Sequence, residues 1–257
     1  MSQSTPFLNG KKGLVVGIAN SHSIAAGCAH AFRDAGAELA ITYQSEKAKP
    51  YVEPVANALE SDLFLPLDVT DETQVEAVFE AISDRFGQLD FLLHSIAYCP
   101  RDDLHGRVTD CSREGFGIAM DISVHSLIRL VRLAEPLMKN GGAILTVSYH
   151  GSERVVDHYN IMGPVKAALE STTRYLSVEL GKKSIRVNAL SPGPLQTRAA
   201  SGIDHFDQLI EEAKKDAPLG RLTSIEEVGG LAAFLVSDMA GSISGNTCYI
   251  DGGQHVV

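Results

Sequence analysis

The 257-residue sequence has no cysteine pair at CxxC spacing, and its four cysteines, Cys28, Cys99, Cys111 and Cys248, share no repeated spacing with histidines. Neither a zinc cage nor any other metal site is expected, nor a disulfide framework, and reduced thiols in a cytosolic protein fit this usage. Residues 1–10 lack a basic segment followed by an apolar one. No apolar run approaches the ~18 residues that a membrane-spanning helix needs. The chain therefore reads as soluble, cytoplasmic and unexported. Positive charge is scarce: 22 Lys plus Arg stand against 32 Asp plus Glu, a formal net charge of −10. That is the wrong sign for a surface that grips phosphate backbones, so nucleic acid is not an expected partner. No internal repeat or low-complexity segment is evident. Hydrophobic residues at 44% and charged residues at 21% are ordinary globular usage, which sets aside disorder, collagen and coiled coils.

What the chain does have is alternation. Residues 13–19 (GLVVGIA) are an apolar, β-branched run expected as a buried strand, and 24–32 follow with Ile24, Cys28 and Phe32 at helical spacing. The pattern continues with strand 38–43, helix 48–60, strand 63–67, helix 71–86 capped by Asp71, and strand 89–96. Helix 113–138, strand 143–148, helix 157–180, strand 185–190, helix 225–236 and strand 247–250 complete it. Such alternation implies a parallel sheet, and continuous apolar runs such as LFLPL and FLLHSIA imply strands covered on both faces. The expected fold class is α/β: a doubly wound, Rossmann-like parallel sheet in one domain over 1–257. The stretch 191–217 shows no clear periodicity and opens with Pro, Gly and small residues, so a mobile substrate lid is expected there.

Ligands of such sheets bind beyond the carboxyl ends of the strands where strand order reverses, which places a phosphate at the first strand-to-helix turn. That turn runs from Gly17 to Gly27 and lacks GxGxxG. Gly17 would let the chain approach a pyrophosphate, Ser23 would offer its hydroxyl, and free amides at the helix start supply positive potential. A glycine that merely turns the chain is the plainer alternative. After the second strand, Gln44 is placed for a ribose hydroxyl, and 43–46 hold no Arg for a 2′-phosphate, which favours NADH over NADPH although Lys47 is close. Asp68 and Val69 either hold the adenine, by a carboxylate and a backbone amide, or Asp68 only caps a turn. Tyr159 and Lys166 are seven residues apart on the helix expected over 157–180, about two turns, so both would project from one face. A tyrosine hydroxyl is a useful donor to a developing enolate, and a nearby ammonium would hold the cofactor ribose and stabilise negative charge. A half-buried Tyr beside a surface Lys is the competing structural reading.

Seven motifs occur together and in order: Gly17-x5-Ser23-Ile24-Ala25, Tyr43-Gln44, His94-Ser95-Ile96-Ala97, Asp121-Ile122-Ser123, Ser148-Tyr149-His150-Gly151, Tyr159-Asn160-x-Met162-Gly163-x-x-Lys166-Ala167-x-Leu169-Glu170 and Ala199-Ala200-Ser201-Gly202-Ile203. With them the chain, from about residue 10 to residue 253, resembles the NADH-dependent enoyl-acyl carrier protein reductases of bacterial fatty acid synthesis. These are a divergent branch of the short-chain dehydrogenase/reductases. The wider superfamily uses Tyr-x3-Lys, whereas here the residue four after Tyr159 is Gly163.

The resemblance implies reduction of the double bond of a trans-2-enoyl thioester, with hydride from NADH reaching the β-carbon and the enolate then protonated. It implies that Tyr159 hydrogen-bonds the thioester oxygen, that Lys166 binds the nicotinamide ribose and that Tyr149 lines the pocket and assists. Gly17, Ser23, Ile24, Gln44, Asp68, Val69, Ser95, Ile96, Ala97 and Leu195 would contact NAD. Ala97, Tyr98, Met162, Pro194, Ala199, Ala200, Ile203 and Phe206 would form the acyl pocket, with core packing as the alternative for Met162 and Phe206. His150 and His158 receive no chemistry, and Cys99 reads as a small buried hydrophobe. Acyl carrier protein is the implied partner and a homotetramer the implied assembly. Family members often receive the acidic carrier with basic residues after the lid, but this chain has Asp204-His205-Phe206-Asp207-Gln208 there and one arginine at Gly220-Arg221. Lys214, Lys215 or Arg198 would have to substitute. Coenzyme A as the carrier, and a short-chain dehydrogenase acting on a ketone or alcohol, stay open as alternatives, as does a non-catalytic use of the fold.

Overall fold

The apolar, β-branched runs pair into one sheet in the computed structural model, which describes residues 6–195, 197 and 206–257. The strands are β1 (Lys12–Val16), β2 (Glu38–Tyr43), β3 (Leu63–Pro66), β4 (Phe91–His94), β5 (Gly142–Val147), β6 (Ile185–Pro192) and β7 (Thr247–Ile250). They lie in the order β3-β2-β1-β4-β5-β6-β7, every neighbouring pair parallel. Helices α1 (Ile24–Asp34), α2 (Lys49–Ala58), α3 (Glu72–Phe86), α4 (Arg101–Leu104), α5 (Arg113–Met120), α6 (Ser126–Ala134), α7 (Met162–Gly181), α8 (Phe206–Asp216) and α9 (Ile225–Val236) connect or flank them.

Side chains alternate across the pleat, so each strand feeds two cores. Val15, Phe91 and Leu93 pack with α1, α2 and α9, while Leu14, Val16 and Leu92 pack with α3, α6 and α7. The expected doubly wound fold is thus observed. Its order reverses between β1 and β4, and the crevice for a ligand opens beyond their carboxyl ends.

Capping follows the expected chemistry at α3, where the Asp71 carboxylate accepts the amides of Thr73 at 3.0 Å and Gln74 at 3.2 Å. At α1 the requirement is close approach to α9. A Cβ on Gly27 would stand 2.5 Å from the Ile225 carbonyl oxygen, a backbone atom of the crossing helix.

Three expectations are corrected. The helix expected over 157–180 begins only at Met162, because His158 (φ 64°) and Asn160 (φ 45°) adopt left-handed conformations that no α-helix admits. The helix expected over 113–138 is divided. Asp121–His125 forms a π-helical turn in which the Ser126 amide reaches the Asp121 carbonyl, and α6 gives way to a 3-10 turn, Glu135–Leu137. Pro136, which has no N–H to continue an α-helix, explains the second break. Part of the lid expectation over 191–217 is regular structure: β6 continues to Pro192, and α8 buries Ile210 and Ala213. Of the remaining lid residues, 196 and 198–205 lie outside the described ones. Among the described residues no helix is long and apolar enough to cross a membrane.

Gly27→Val should lower unfolding free energy by about 1–3 kcal/mol, the usual cost of overpacking. Denaturant titration measures it; an unchanged midpoint would mean that α1 and α9 separate without loss.

Candidate active site

The turn after β1 carries the first part of the site. Gly17 has φ 107°, and a Cβ there would lie 2.0 Å from the Ser95 carbonyl oxygen. A glycine is therefore required for packing against the segment after β4, apart from any ligand. Ser23 occupies the cap position of α1 but does not cap it: its hydroxyl donates to the Asn20 carbonyl at 2.7 Å. The first turn of α1 also holds no acidic residue, whereas α3 and α9 each have a side-chain cap and an acid there. Uncapped amides at a helix start suit an anion, so this turn fits the pyrophosphate of a dinucleotide.

Gln44 is exposed just beyond β2. Beside it the Tyr43 hydroxyl donates to Glu46 Oε1 at 3.1 Å, and the Lys49 ammonium lies over the Tyr43 ring. Asp68 Oδ1 accepts the Thr70 amide at 2.9 Å and hydroxyl at 2.7 Å, and its neighbour Val69 is buried. Ser95 and Ile96 are half-buried, Ala97 and Tyr98 exposed. Leu195 packs at the edge of the first core, after buried Gly193 and Pro194.

The catalytic candidates meet around the end of β5. Tyr159 is not on the helix of Lys166, as spacing implied, but in the turn that precedes it, and it is buried to 8% exposure. Its ring meets that of Tyr149 edge-on, with centroids 5.0 Å apart. Lys166, buried to 5% exposure in α7, donates to the Val147 carbonyl at 2.7 Å, two residues before Tyr149. Burial pushes the Lys166 ammonium down to about 8, against the opposing pull of Glu170. Burial pushes both tyrosine hydroxyls up, so each stays a donor at neutral pH. The Tyr149 hydroxyl is buried with no hydrogen-bond partner among the described residues.

Other candidates are placed less centrally. Met162 packs in the second core, as its structural alternative held. Ala199, Ala200 and Ile203 lie outside the described residues, as does the side chain of Phe206 at the start of α8. Cys99 is half-buried at the edge of the second core, and desolvation pushes its thiol up to about 11.

Two polar networks escaped sequence reasoning. His94, at the end of β4, is fully buried. The Ser126 hydroxyl donates its one hydrogen to the Ile122 carbonyl at 2.6 Å, so it must accept from His94 Nε2 at 2.8 Å, and Thr146 then donates to Nδ1 at 2.9 Å. Desolvation pushes His94 down to about 3, which keeps it neutral. From the same π-helical turn, Ser123 accepts the Tyr98 amide at 3.0 Å and donates to the Tyr98 carbonyl at 3.1 Å. The π turn thus anchors both ends of the segment from His94 to Tyr98. A histidine inside the apolar run FLLHSIA was the available signal. The second network joins Glu170 to Ser148 and Ser152.

Comparison with known proteins adds the following. Residues 17–255 match the family model described as Enoyl-(Acyl carrier protein) reductase. Enoyl-acyl-carrier-protein reductase (NADH) 1 of Rhizobium meliloti is 46% identical, covering 100% of this chain and 94% of that protein. The solved enoyl-acyl-carrier-protein reductase (NADH) of Aquifex aeolicus has a TM-score of 0.95 at 46% identity, over 98% of each chain. The Anaplasma phagocytophilum reductase, solved in complex with NAD, has a TM-score of 0.95 at 45% identity, over 99% of this chain and 97% of that one.

His94 titrates at about 3 when folded against an ordinary 6.5, so the unfolded chain binds the extra proton. Stability should be full above pH 6.5 and fall as pH drops from there toward 3, by up to about 1.4 kcal/mol per pH unit. Urea denaturation at pH 5 and 7 measures this. In His94→Gln the difference should shrink while stability at pH 7 falls by about 1–3 kcal/mol, since Ser126 and Thr146 lose a fitted partner.

Proposed function

From the premise that this chain belongs to the enoyl-(acyl carrier protein) reductase family, we propose that Tyr159, Lys166 and Tyr149 are its catalytic set. The protein is an NADH-dependent enoyl-acyl carrier protein reductase, which saturates the carbon-carbon double bond of a trans-2-enoyl thioester in fatty acid elongation. NADH, when bound, supplies the hydride that the β-carbon takes up.

Gly17, Ser23 and Ile24 would hold the pyrophosphate, Gln44 a ribose hydroxyl, and Asp68 and Val69 the adenine. Ser95, Ile96 and Ala97 would flank the nicotinamide side, where Leu195 offers its amide to the carboxamide and Lys166 binds the ribose hydroxyls. Reduction at the β-carbon throws negative charge onto the thioester oxygen. Tyr159, kept protonated by burial, donates a hydrogen bond to that oxygen, and the Lys166 cation lowers the energy of the same charge. Tyr149 presents a second buried hydroxyl and, with Ala97, Tyr98, Met162, Ala199, Ile203 and Phe206, borders the acyl chain. The observation that carries this reading is the pair of buried tyrosines at the end of β5, one of them with a hydroxyl that has no hydrogen-bond partner among the described residues. A carbonyl reductase with lysine four residues after Tyr159 is disfavoured on packing grounds too. That position is Gly163, where a Cβ would lie 2.9 Å from the Gly151 carbonyl oxygen.

The acidic carrier would dock near Lys214 and Lys215, both exposed on α8, since Arg221 is engaged by both carboxylate oxygens of Glu227. Arg198 lies outside the described residues. Homotetramer assembly would cover Phe116, Ile128, Tyr175 and Val178, apolar side chains exposed on α5, α6 and α7.

NADH oxidation, followed by absorbance with a trans-2-enoyl thioester, tests the assignment. Tyr159→Phe should cut kcat by about 10²–10³-fold, the usual effect of losing one oxyanion donor, with NADH affinity retained. Undiminished turnover would move the donor role to Tyr149. Lys214→Glu with Lys215→Glu should raise KM for the carrier-bound substrate and leave the coenzyme A thioester unaffected. An equal effect on both would place carrier docking elsewhere.

A further inference from the structure

Glu170 is a carboxylate buried to 4% exposure, one turn beyond Lys166 on α7, and the chemistry above makes no use of it. Its Oε1 accepts hydrogen bonds from two hydroxyls, Ser148 and, at 2.7 Å, Ser152. These serines stand on either side of Tyr149, in the turn that leaves β5. Lys166 takes hold of the same segment one residue earlier, through the Val147 carbonyl. Successive turns of α7 therefore grip one short stretch at three points, and that stretch presents the Tyr149 ring to Tyr159.

A buried carboxylate is costly unless a charge or several good donors compensate it. Here two neutral hydroxyls donate to it, and an ammonium lies on the adjacent turn of the same helix. The groups that face Lys166 and Glu170 come from several elements. His94 approaches from β4 and is neutral; Tyr149, Tyr159 and Tyr249 of β7 are phenols held protonated. Among the described residues Glu170 is the anion that acts on Lys166.

We propose that Glu170 is a positioning residue of the reaction: through Ser148 and Ser152 it sets Tyr149 against Tyr159, and it places a carboxylate one turn from the Lys166 ammonium. This rests on the roles given above to Lys166 and Tyr149. Glu170→Gln preserves size and one acceptor oxygen but removes the charge. Glu170→Asp preserves the charge but is too short to hold both serines.

The test is the pH profile of kcat/KM for NADH oxidation with a trans-2-enoyl-acyl carrier protein, on the full chain. Wild type should lose activity on the alkaline side as Lys166 deprotonates near pH 8. Glu170→Gln should move that limb down by roughly one pH unit, since an opposite charge at this range favours the cation. Glu170→Asp should leave the limb in place and lower kcat. A Gln variant that is folded and keeps the wild-type limb overturns the proposal. Should that variant not fold, Ser148→Ala with Ser152→Ala carries the test: kcat should fall with KM for NADH unchanged, and an unaltered kcat overturns it. Lys166→Met separates the two readings. If it leaves NADH binding and turnover intact, the role of Lys166 is wrong; if it abolishes them while Glu170→Gln keeps the wild-type limb, only the role of Glu170 is.

Discussion

Taking the Lys166 ammonium out of water is the constraint around which the rest of the site is arranged. An isolated buried cation is unstable by several kcal/mol even after relaxation, and here the pull toward neutrality is visible in its lowered pKa. What surrounds it answers that pull. The Val147 carbonyl accepts one of its hydrogens, Glu170 supplies charge, and His94, the histidine that feels the Lys166 charge, is held neutral and adds no second cation. The tyrosines beside it are buried enough to stay protonated, which keeps them as donors instead of rival anions. A cation poised in this way is pre-organised for charge that develops in a transition state, because the cost of orienting it is met on folding.

The same logic extends under the cofactor side of the crevice. His94 sits where a purely apolar sheet would place another aliphatic side chain, and its bonds to Thr146 and Ser126 tie β4 to β5 and to the helix behind. The π-helical turn at Asp121–His125 gives up regular helical pairing at Ile122, but the Ser126 hydroxyl serves the Ile122 carbonyl instead. The local loss is small and the gain is positional: Ser123 and Ser126 hydrogen-bond to the two ends of the His94 to Tyr98 segment. π-helical turns are frequent at functional sites for this reason.

Much of this was legible in the chain and some was not. Strand and helix alternation is a local signal, so the doubly wound sheet could be read from apolar periodicity alone, whereas Tyr159, Lys166 and Gly17 were weak signals by spacing and gained weight from the family resemblance of the motifs around them. The start of α7 was misplaced because helical periodicity continues through 157–161 although His158 and Asn160 adopt positive φ. Asparagine tolerates that conformation, which was a weak sign available in advance. The roles of His94 and Glu170 were hidden for a different reason. Their partners lie far along the chain, 52 residues from His94 to Thr146 and 22 from Ser148 to Glu170. Periodicity cannot tell a buried carboxylate on a helix from one on its solvated face.

Several departures from local stability rules border the crevice, although Glu60 and Ser184 also take left-handed backbone, ahead of β3 and β6 at the other end of the sheet. α1 begins without a side-chain cap while α3 and α9 are capped; two non-glycine residues take left-handed backbone just before α7; a π turn interrupts the α5–α6 stretch; and a lysine and a glutamate are buried in α7. These segments border the crevice at the carboxyl ends of β1, β4 and β5. The opposite end of the sheet, where Lys12 meets Asp90 and Glu38 follows a short turn, keeps ordinary pairing. The departures beside the crevice fit a site that must hold an anionic dinucleotide, a cation and two un-ionised phenols within one partly dry volume, with the two apolar cores supplying the stability that those departures consume.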